Sequence, residues 1–357
     1  MERFGFVGLP NSGKTSLHNA LAGGGAVAAR HAFSTKSANV GVARVPDDRV
    51  LQLAGMSGSR RTVHASVQFT DISGLVSGSN RGEGLGNAFL GHIRDTDAIV
   101  YVLRAFVDPD IAGDDDPLNS LRVLETELAL ADLDSATRQL DKLARAAKGE
   151  PSLRAGRDML ARAVGVLEDG VPLYRAGLDG DTRSGLRPFF LITNKPVLAV
   201  VNVSEDQIEA AEDLAEPVRA ELGEAEVMAL CVQLEAEAVQ LEESERPALL
   251  AALGLGRGAL DRFLTLAYHL LGLRAFLTTG PTESRAWTFR AGASAGECAG
   301  AVHSDIRRGF IRADTIRWDR LLEAGSWTAA RDQGLVRSEG KDYRVADGDV
   351  LEFKFNV

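Results

Sequence analysis

The feature that most constrains this chain is the octapeptide from Gly8 to Thr15, GLPNSGKT, because it satisfies the pattern G-x-x-x-x-G-K-[ST] without a mismatch. The apolar run Phe4 to Val7 predicts a strand before it, and Lys14 to Leu21 predicts a helix after it. Backbone N–H groups at a helix N-terminus attract anions. The octapeptide therefore predicts a phosphate-binding P-loop, and the flanking elements disfavour a chance Gly-rich turn.

The residue types of the P-loop have distinct expected tasks. Gly8 and Gly13 let the backbone come close to phosphate oxygens. The Lys14 ammonium is expected to bridge the β- and γ-phosphates, which makes Lys14 a candidate catalytic residue. The Thr15 hydroxyl is expected to ligate Mg²⁺.

A second motif, Asp71-Ile72-Ser73-Gly74, follows the apolar run Val67 to Thr70. Asp71, at the carboxyl end of that predicted strand, is a candidate Mg²⁺ ligand, and the Gly74 N–H is a candidate catalytic contact to the γ-phosphate. Thr35 lies between the two motifs, where a Mg²⁺-sensing hydroxyl is expected. The alternatives are an ordinary strand-ending turn at Asp71 and an ordinary loop hydroxyl at Thr35.

Leu75 stands where many GTPases carry a glutamine that orients the attacking water. A leucine side chain forms no hydrogen bonds. We expect either that another group holds the water or that turnover is slow until a partner supplies one.

Two segments are candidates for base recognition. Asn194-Lys195 precedes a predicted strand and is followed by Pro196 and Val197 without a carboxylate, so we reject it.

Asn202-Val203-Ser204-Glu205 leaves the carboxyl end of the predicted strand Val197 to Val201. Glu205 replaces the aspartate that pairs with guanine, and its extra methylene displaces the carboxylate. This predicts ATP rather than GTP, with Asn202 and Glu205 at the base. The alternative is an unspecialised strand-to-loop junction.

The chain as a whole predicts an α/β fold. Apolar strands at Ile99–Leu103, Val197–Val203 and Val227–Val232 alternate with helical stretches, as in a mostly parallel sheet. Leucines at helical spacing predict a helical hairpin inserted over residues 118–187, interrupted at Gly149-Glu150-Pro151. Its charges are roughly balanced, which favours a solvated helix pair over a nucleic-acid arm. After residue 276, short strands and Gly-rich turns predict a small β-rich domain.

Composition limits the location and partners. The chain has 357 residues, which predicts two or three compact units. It lacks an 18-residue apolar run and a secretory signal pattern, and its two cysteines have no metal or redox spacing, so a cytoplasmic location without a membrane partner is predicted. The net charge of −10 argues against broad nucleic-acid binding, and no sequence-specific DNA partner is predicted.

The sequence resembles the YchF/Obg-like ATPase family of P-loop NTPases over nearly its whole length. The matching runs are Gly8–Asn11, Asp71–Val76, Gly82–Leu90, Ile93–Ile99, Thr126–Leu133, Arg285–Thr288, His303–Asp305, Gly309–Ala313 and Glu339–Tyr343. The resemblance implies a nucleotide-binding G domain (1–117 and 188–275), an inserted helical domain (118–187) and a C-terminal β-grasp-like TGS domain (276–357). It also implies ATP hydrolysis with Mg²⁺ and association with the ribosome or ribosomal RNA.

Carried over by position, the resemblance implies further roles. Asn11, Ser12, Gly13, Lys14, Thr15 and Ser16 would contact the phosphates, Thr15 and Thr35 would lie at Mg²⁺, and Val203 would contact the base. Asn11 matches an asparagine that helps some related GTPases bind K⁺. Lys36–Asn39 departs from the family pattern, and the stretch Asp110–Pro117 is short and lacks the family's histidine, a proposed water-positioning group. These departures suggest a divergent paralogue with weakened or altered hydrolysis.

The leading interpretation is a Mg²⁺-dependent ATPase that acts as a conformational switch on the translation apparatus. One alternative is the same fold hydrolysing GTP, and another is a nucleotide-binding adaptor with negligible hydrolysis. A basic segment from His303 to Arg312 is either an RNA-facing edge or, as we favour, a salt-bridged solvated surface. The oligomeric state stays open.

Overall fold

The structure is a computed structural model, and it describes residues 1–23, 39–72, 85–108, 115–242, 245–252 and 258–356. Two compact units share the chain. The first comprises Met1–Ala43 and Gln68–Leu260, and the second comprises Arg44–Val67 and Asp261–Val357. The predicted division into three domains remains a prediction.

The described residues form helices and strands in the following order. The first half contains β1 (Arg3–Val7), α1 (Lys14–Gly23), β2 (Asn39–Arg44), α2 (Asp48–Ser57), β3 (Arg61–Val63), β4 (Ser66–Asp71), α3 (Leu85–Arg94), β5 (Ala98–Arg104), α4 (Pro117–Ala146), α5 (Arg154–Glu168) and α6 (Gly180–Leu186). The second half contains β6 (Val197–Asn202), α7 (Ala211–Leu222), β7 (Glu226–Leu230), α8 (Val232–Val239), α9 (Arg246–Ala252), α10 (Ala259–Leu270), β8 (Leu273–Thr278), β9 (Glu283–Arg290), α11 (Ala295–Val302), α12 (Ser304–Arg308), β10 (Phe310–Arg317), α13 (Trp318–Ala324), α14 (Trp327–Asp332), β11 (Arg337–Glu339) and β12 (Asp349–Phe355).

The first unit is built on a six-stranded sheet of order β2-β4-β1-β5-β6-β7. The pairings of β4 with β1, β1 with β5, β5 with β6 and β6 with β7 are all parallel, which confirms the predicted α/β fold. Every residue of β5 and β6 is buried, because both faces of the central strands are covered. The predicted strand Val227–Val232 was too long at its end. It stops at Leu230, and Val232 is the first residue of α8.

The predicted helical hairpin is present as α4 and α5, and the middle of α4 is bonded to the turn that precedes β6. Asp132 of α4 is fully buried and accepts hydrogen bonds from the backbone N–H groups of Ile192 (2.9 Å) and Thr193 (2.7 Å) and from the Thr193 hydroxyl (2.8 Å). Ile192 and Thr193 lie in the 3-10 turn that precedes β6. The carboxylate thereby satisfies buried donors that the turn leaves open.

A second polar cluster lies about two turns away on α4. Glu125 is buried, accepts a short hydrogen bond from the Tyr174 hydroxyl, and pairs with Arg175 at 2.8 Å. Arg175 also pairs with Glu221 of α7 at 2.7 Å. The hairpin and α7 are therefore joined through charge-assisted bonds.

The second unit is built on a sheet of order β11-β10-β12-β8-β9-β3. β8 and β9 form an antiparallel pair, β12 runs parallel to β8, and β10 is antiparallel to β12, which gives the expected β-grasp-like arrangement. The sequence pattern gave no indication that β3 belongs here, parallel to β9. Within the described ranges, no helix is long and apolar enough to cross a membrane.

Candidate functional site

The P-loop connects β1 to α1, as predicted, and its backbone takes a shape that requires glycine at two positions. A Cβ on Gly8 would lie 2.4 Å from the Val102 carbonyl oxygen. Gly13 has φ +96°, and a Cβ there would lie 2.3 Å from Nδ2 of Asn202. Asn11 also has a positive φ of 62°. Because a side chain at either position would clash, the motif requires glycine at both Gly8 and Gly13 for steric reasons.

Lys14 folds back over the loop. Its Nζ donates to the carbonyl oxygens of Gly8 (2.9 Å) and Leu9 (2.8 Å). Burial lowers the pKa of Lys14, and the nearby Asp71 carboxylate opposes that shift. The ammonium group is thus held in the loop by groups that a phosphate oxygen can replace.

Thr15 and Asp71 meet beside the loop. The Thr15 hydroxyl donates to Oδ2 of Asp71 at 2.7 Å. Asp71 is 4% exposed, and its Oδ1 is buried without a hydrogen-bond partner among the described residues. A buried carboxylate oxygen left open next to a hydroxyl is an oxygen set that suits Mg²⁺. These two side chains therefore fit the metal that the P-loop motif implies.

Asn202, the last residue of β6, links the P-loop to α8. Its Nδ2 donates to the Ser12 carbonyl oxygen (3.1 Å), and its Oδ1 accepts from the Val232 N–H (3.1 Å). Asn202 is 5% exposed, so both groups of its amide are satisfied inside the protein. The side chain therefore positions the P-loop against the first turn of α8.

The variant Asn202→Asp tests this positioning role. An aspartate can still accept from the Val232 N–H, but it cannot donate to the Ser12 carbonyl and places negative charge against it. We expect about 1–3 kcal/mol lower unfolding free energy in urea and weaker triphosphate binding. The exposed variant Asp206→Asn is the control, and equal effects in the two variants would contradict the role.

A cavity of about 800 Å³ opens at this end of the sheet. Its described lining residues are Asn11, Gly13, Lys14, Thr15, Ser16, Phe106, Val107, Asp108, Asn202, Val203, Ser204, Cys231, Val232, Gln233, Ala236, Glu237 and Gln240. A volume of this size falls in the range of cofactor and small-molecule pockets. The carboxyl ends of the parallel strands converge on it, as expected for an open α/β sheet.

The structure brings together most of the residues that the sequence indicated. Seven of them line the cavity: Asn11, Gly13, Lys14, Thr15, Ser16, Asn202 and Val203. The eighth, Ser12, is buried in the loop, and its hydroxyl has no partner among the described residues. Asp71 reaches the site through Thr15. Thr35, Gly74 and Leu75 lie outside the described residues.

Glu205 is the remaining candidate in the loop that follows β6. It is exposed, begins the 3-10 helix Glu205–Ala210, and is not among the residues that line the cavity. Ser204 and Gln207 form a capping box at this turn, which directs the chain away from the strand end. Contact between Glu205 and a base therefore remains a prediction.

The segment after β5 contributes lining residues that the sequence analysis missed. Buried Arg104 donates from Nε to the Phe106 carbonyl oxygen at 2.8 Å, and its guanidinium lies 4.6 Å from the centre of the Phe106 ring. These contacts shape the loop from Phe106 to Asp108, which lines the cavity. The sequence offered one indication of this role: the loop directly follows a buried parallel strand, and ligands bind at the carboxyl ends of such strands.

Comparison with known proteins identifies the family. The chain is 40% identical to the "Ribosome-binding ATPase YchF" of Bacillus subtilis over 361 residues, covering 99% of both chains. The chain belongs to the YchF family. The protein of the same name from Haemophilus ducreyi is 41% identical, again over 99% of both chains.

Domain and structure comparisons agree with this membership. Residues 3–140 match the family model described as "50S ribosome-binding GTPase", and residues 273–356 match the model of the C-terminal part of YchF GTPases, described as a protein of unknown function. The structure of the Schizosaccharomyces pombe YchF GTPase superposes with a TM-score of 0.87 at 26% identity, covering 99% of this chain and 97% of that one. The P-loop NTPase fold predicted from the sequence is thereby confirmed.

Proposed function

We propose that this YchF family member is a Mg²⁺-dependent nucleoside triphosphatase that prefers ATP to GTP and acts as a switch on the ribosome. The observation that carries the proposal is the arrangement of Lys14, Thr15 and Asp71 around the P-loop. This arrangement places the Lys14 ammonium group, the Thr15 hydroxyl and the Asp71 carboxylate next to backbone N–H groups that can bind a polyphosphate.

The chain's own residues have defined tasks in this proposal. The loop amides from Asn11 to Thr15 hold the phosphates, and Lys14 leaves the carbonyls of Gly8 and Leu9 to neutralise the transferred phosphoryl group. Thr15 and Asp71 would hold Mg²⁺, which would supply charge neutralisation to the phosphates. Asn202 keeps the loop in position while the charge moves.

The preference for ATP rests on the loop that follows β6. Guanine presents N1–H and N2 donors that require an acceptor such as a carboxylate, and the carboxylate-bearing residue of this loop, Glu205, is exposed and outside the cavity lining. A loop that places no carboxylate against those donors gives guanine no advantage over adenine at this position. The two bacterial relatives named above carry the designation ATPase, which supports the same choice, whereas the Schizosaccharomyces pombe relative is designated a GTPase.

The ribosome is proposed as the partner because the curated relatives are named ribosome-binding. We place the protein in the cytoplasm on the same ground. Slow hydrolysis without the partner is part of the proposal, since Leu75 offers no hydrogen bond to the attacking water.

Calorimetric titration of the purified protein with ATP and with GTP tests the nucleotide assignment. With Mg²⁺ present we expect ATP to bind at least about tenfold more tightly, equivalent to one misplaced polar contact. Removal of Mg²⁺ should weaken ATP binding, because Asp71 then faces the phosphates without a cation. Tighter binding of GTP would favour a GTPase, the function in the description of the matched N-terminal model.

The adaptor function remains the second candidate, favoured by Leu75 and by the absence of a histidine from the sequence Asp110–Pro117. Single-turnover measurements of phosphate release, with and without ribosomes, separate the two. Release accelerated by ribosomes supports the switch. ATP binding without release in either condition would identify the adaptor.

A further inference from the structure

The free end of the helical hairpin has a charge opposite to that of the whole chain. We define the hairpin end as Arg138–Arg157 together with Arg187–Phe190. The polar contacts that fasten α4 to the rest of the first unit, at Arg122, Glu125 and Asp132, all come before Arg138 in the helix. From Arg138 to Arg157 the sequence has six Lys or Arg residues and two acidic ones, whereas Pro117 to Thr137 has one basic and four acidic residues. The charges of the full hairpin nearly balance only because its two ends have net charges of opposite sign.

Several of these cations have no carboxylate partner among the residues that the structure describes. Arg138 and Arg157 pair with Asp134 and Asp158. Within the described ranges no ion pair involves the exposed residues of the remaining set: Lys142, Arg145, Lys148, Arg154 and Arg187. Lys142 and Arg145 follow Gln139 at three-residue steps and so lie on one side of α4.

The placement of Arg154 is not explained by helix stability. It is the first residue of α5, whose first turn contains no acidic residue and whose N-cap, Leu153, makes no side-chain hydrogen bond. The positive end of the helix dipole disfavours a cation at that position. Arg154 thus adds to the hairpin end a cation that the helix itself does not require.

An exposed aromatic ring lies beside these cations. Phe190 is 63% exposed and has φ +53°, a conformation that is costly for a bulky residue. The preceding carbonyl, that of Phe189, accepts a hydrogen bond from Gln139 of α4 at 3.2 Å. Phe189 and Leu143 both pack against the hairpin core, so the segment that carries Phe190 is anchored to the part of α4 that carries Lys142. A strained, exposed ring held there by its neighbours is typical of a functional surface.

We propose that the hairpin end binds single-stranded RNA, with Lys142, Arg145 and Arg187 contacting phosphates and Phe190 stacking on a base. The inference deepens the proposed association with the ribosome and rests on it for the source of the RNA. Cations that follow a backbone and an aromatic ring that accepts any base are the combination that recognises single strands.

The other basic segment of the chain fits RNA less well. In the second unit, Arg308 pairs with Asp305, Arg312 pairs with Asp314 at 3.2 Å, and His303 caps α12 through Nδ1. Its charges are largely satisfied within the protein, in keeping with the solvated surface favoured from the sequence. The hairpin end is the better candidate because five of its cations have no ion-pair partner among the described residues and an exposed aromatic ring belongs to the same end.

Binding of the full-length protein to a fluorescent 12-nucleotide single-stranded RNA over a series of salt concentrations tests the phosphate contacts. For the double variant Lys142→Gln/Arg145→Gln we expect weaker binding and a log–log salt slope reduced by roughly 1.4, about 0.7 for each lost contact. The control Arg60→Gln/Arg262→Gln changes the net charge equally at two exposed arginines of the second unit. An equal loss of RNA affinity in both double variants would mean that only the net charge of the protein matters, and it would overturn the proposal.

The stacking contact is tested at Phe190. Phe190→Asn removes the ring but tolerates the positive φ, so the unfolding midpoint should stay the same or rise. RNA affinity should fall roughly five- to a hundredfold, while Phe190→Tyr retains it. Unchanged affinity of Phe190→Asn for the single strand, or equal affinity of the wild type for a duplex of the same length, would overturn this assignment.

Cosedimentation with ribosomes separates failure of this inference from failure of the proposed function. If the wild type binds ribosomes and the Lys142, Arg145 and Phe190 variants bind the RNA as tightly as wild type, the hairpin end is the wrong surface. If the wild type binds the RNA through these residues but never binds ribosomes, the ribosome function fails and the surface assignment stands.

Discussion

The variant Lys14→Ala is expected to lose triphosphate binding by about 100-fold or more, and hydrolysis with it. The reason is that Lys14 supplies the one ammonium group placed inside the P-loop by the described structure, where it donates to the Gly8 and Leu9 carbonyls. Loss of a buried charge from a charged contact costs about 2–5 kcal/mol, and each 1.4 kcal/mol is about tenfold in affinity. Calorimetry with ATP and Mg²⁺ measures the change.

The chain offers a closely matched control for this experiment. Lys195 is also partly buried, its Nζ also donates to two carbonyl oxygens, those of Arg94 and Thr96, and burial also lowers its pKa. It precedes β6 and does not line the cavity. Lys195→Ala should therefore destabilise the fold but leave ATP affinity unchanged. If Lys14→Ala bound ATP like the wild type, the assigned activity would be wrong.

The variant Asp132→Ala is expected to give the largest loss of stability among single changes outside the site, about 3 kcal/mol in the free energy of unfolding. Removing the carboxylate leaves two buried backbone N–H groups and the Thr193 hydroxyl without their acceptor. Urea denaturation followed by circular dichroism measures the loss.

The neighbouring Asp134 provides the comparison on the same helix. Its side chain is 66% exposed and pairs with Arg138 four residues later, so Asp134→Ala should change stability by no more than about 0.5 kcal/mol. Similar losses in the two variants would mean that helix α4 responds to any change of charge, and that the bonds of Asp132 to the turn before β6 are not the cause.

The P-loop was predictable from the sequence because its chemistry is local. The turn from β1 to α1, the two required glycines and the nearby Thr15 and Asp71 all follow from one motif and its flanking strands. The direction of Glu205 did not follow in the same way. A strand end fixes which edge of the sheet a loop occupies, but the capping box at Ser204 decides where the next side chain points.

Features that depend on distant pairing were missed for a different reason. The parallel pairing of β3 with β9 joins residues 61–63 to residues 283–285, and no local pattern encodes such a contact. The loop from Phe106 to Asp108 carries no motif and is shaped by Arg104. The net charge of the helical hairpin looked balanced because it was counted over the whole segment. The contacts at Glu125 and Asp132 show which end is attached, and the attached and free ends have net charges of opposite sign.

The placement of Arg44–Val67 in the second unit has a consequence for biosynthesis. As the nascent chain emerges, α2 and β3 come out early, yet the strand that β3 pairs with, β9, is made some two hundred residues later. That early segment must wait without its partner while the intervening sequence emerges. A gene truncated before residue 261 would therefore not encode a self-contained N-terminal unit. The fragment would still include Arg44–Val67, which belongs to the second unit and would lack the residues it packs with.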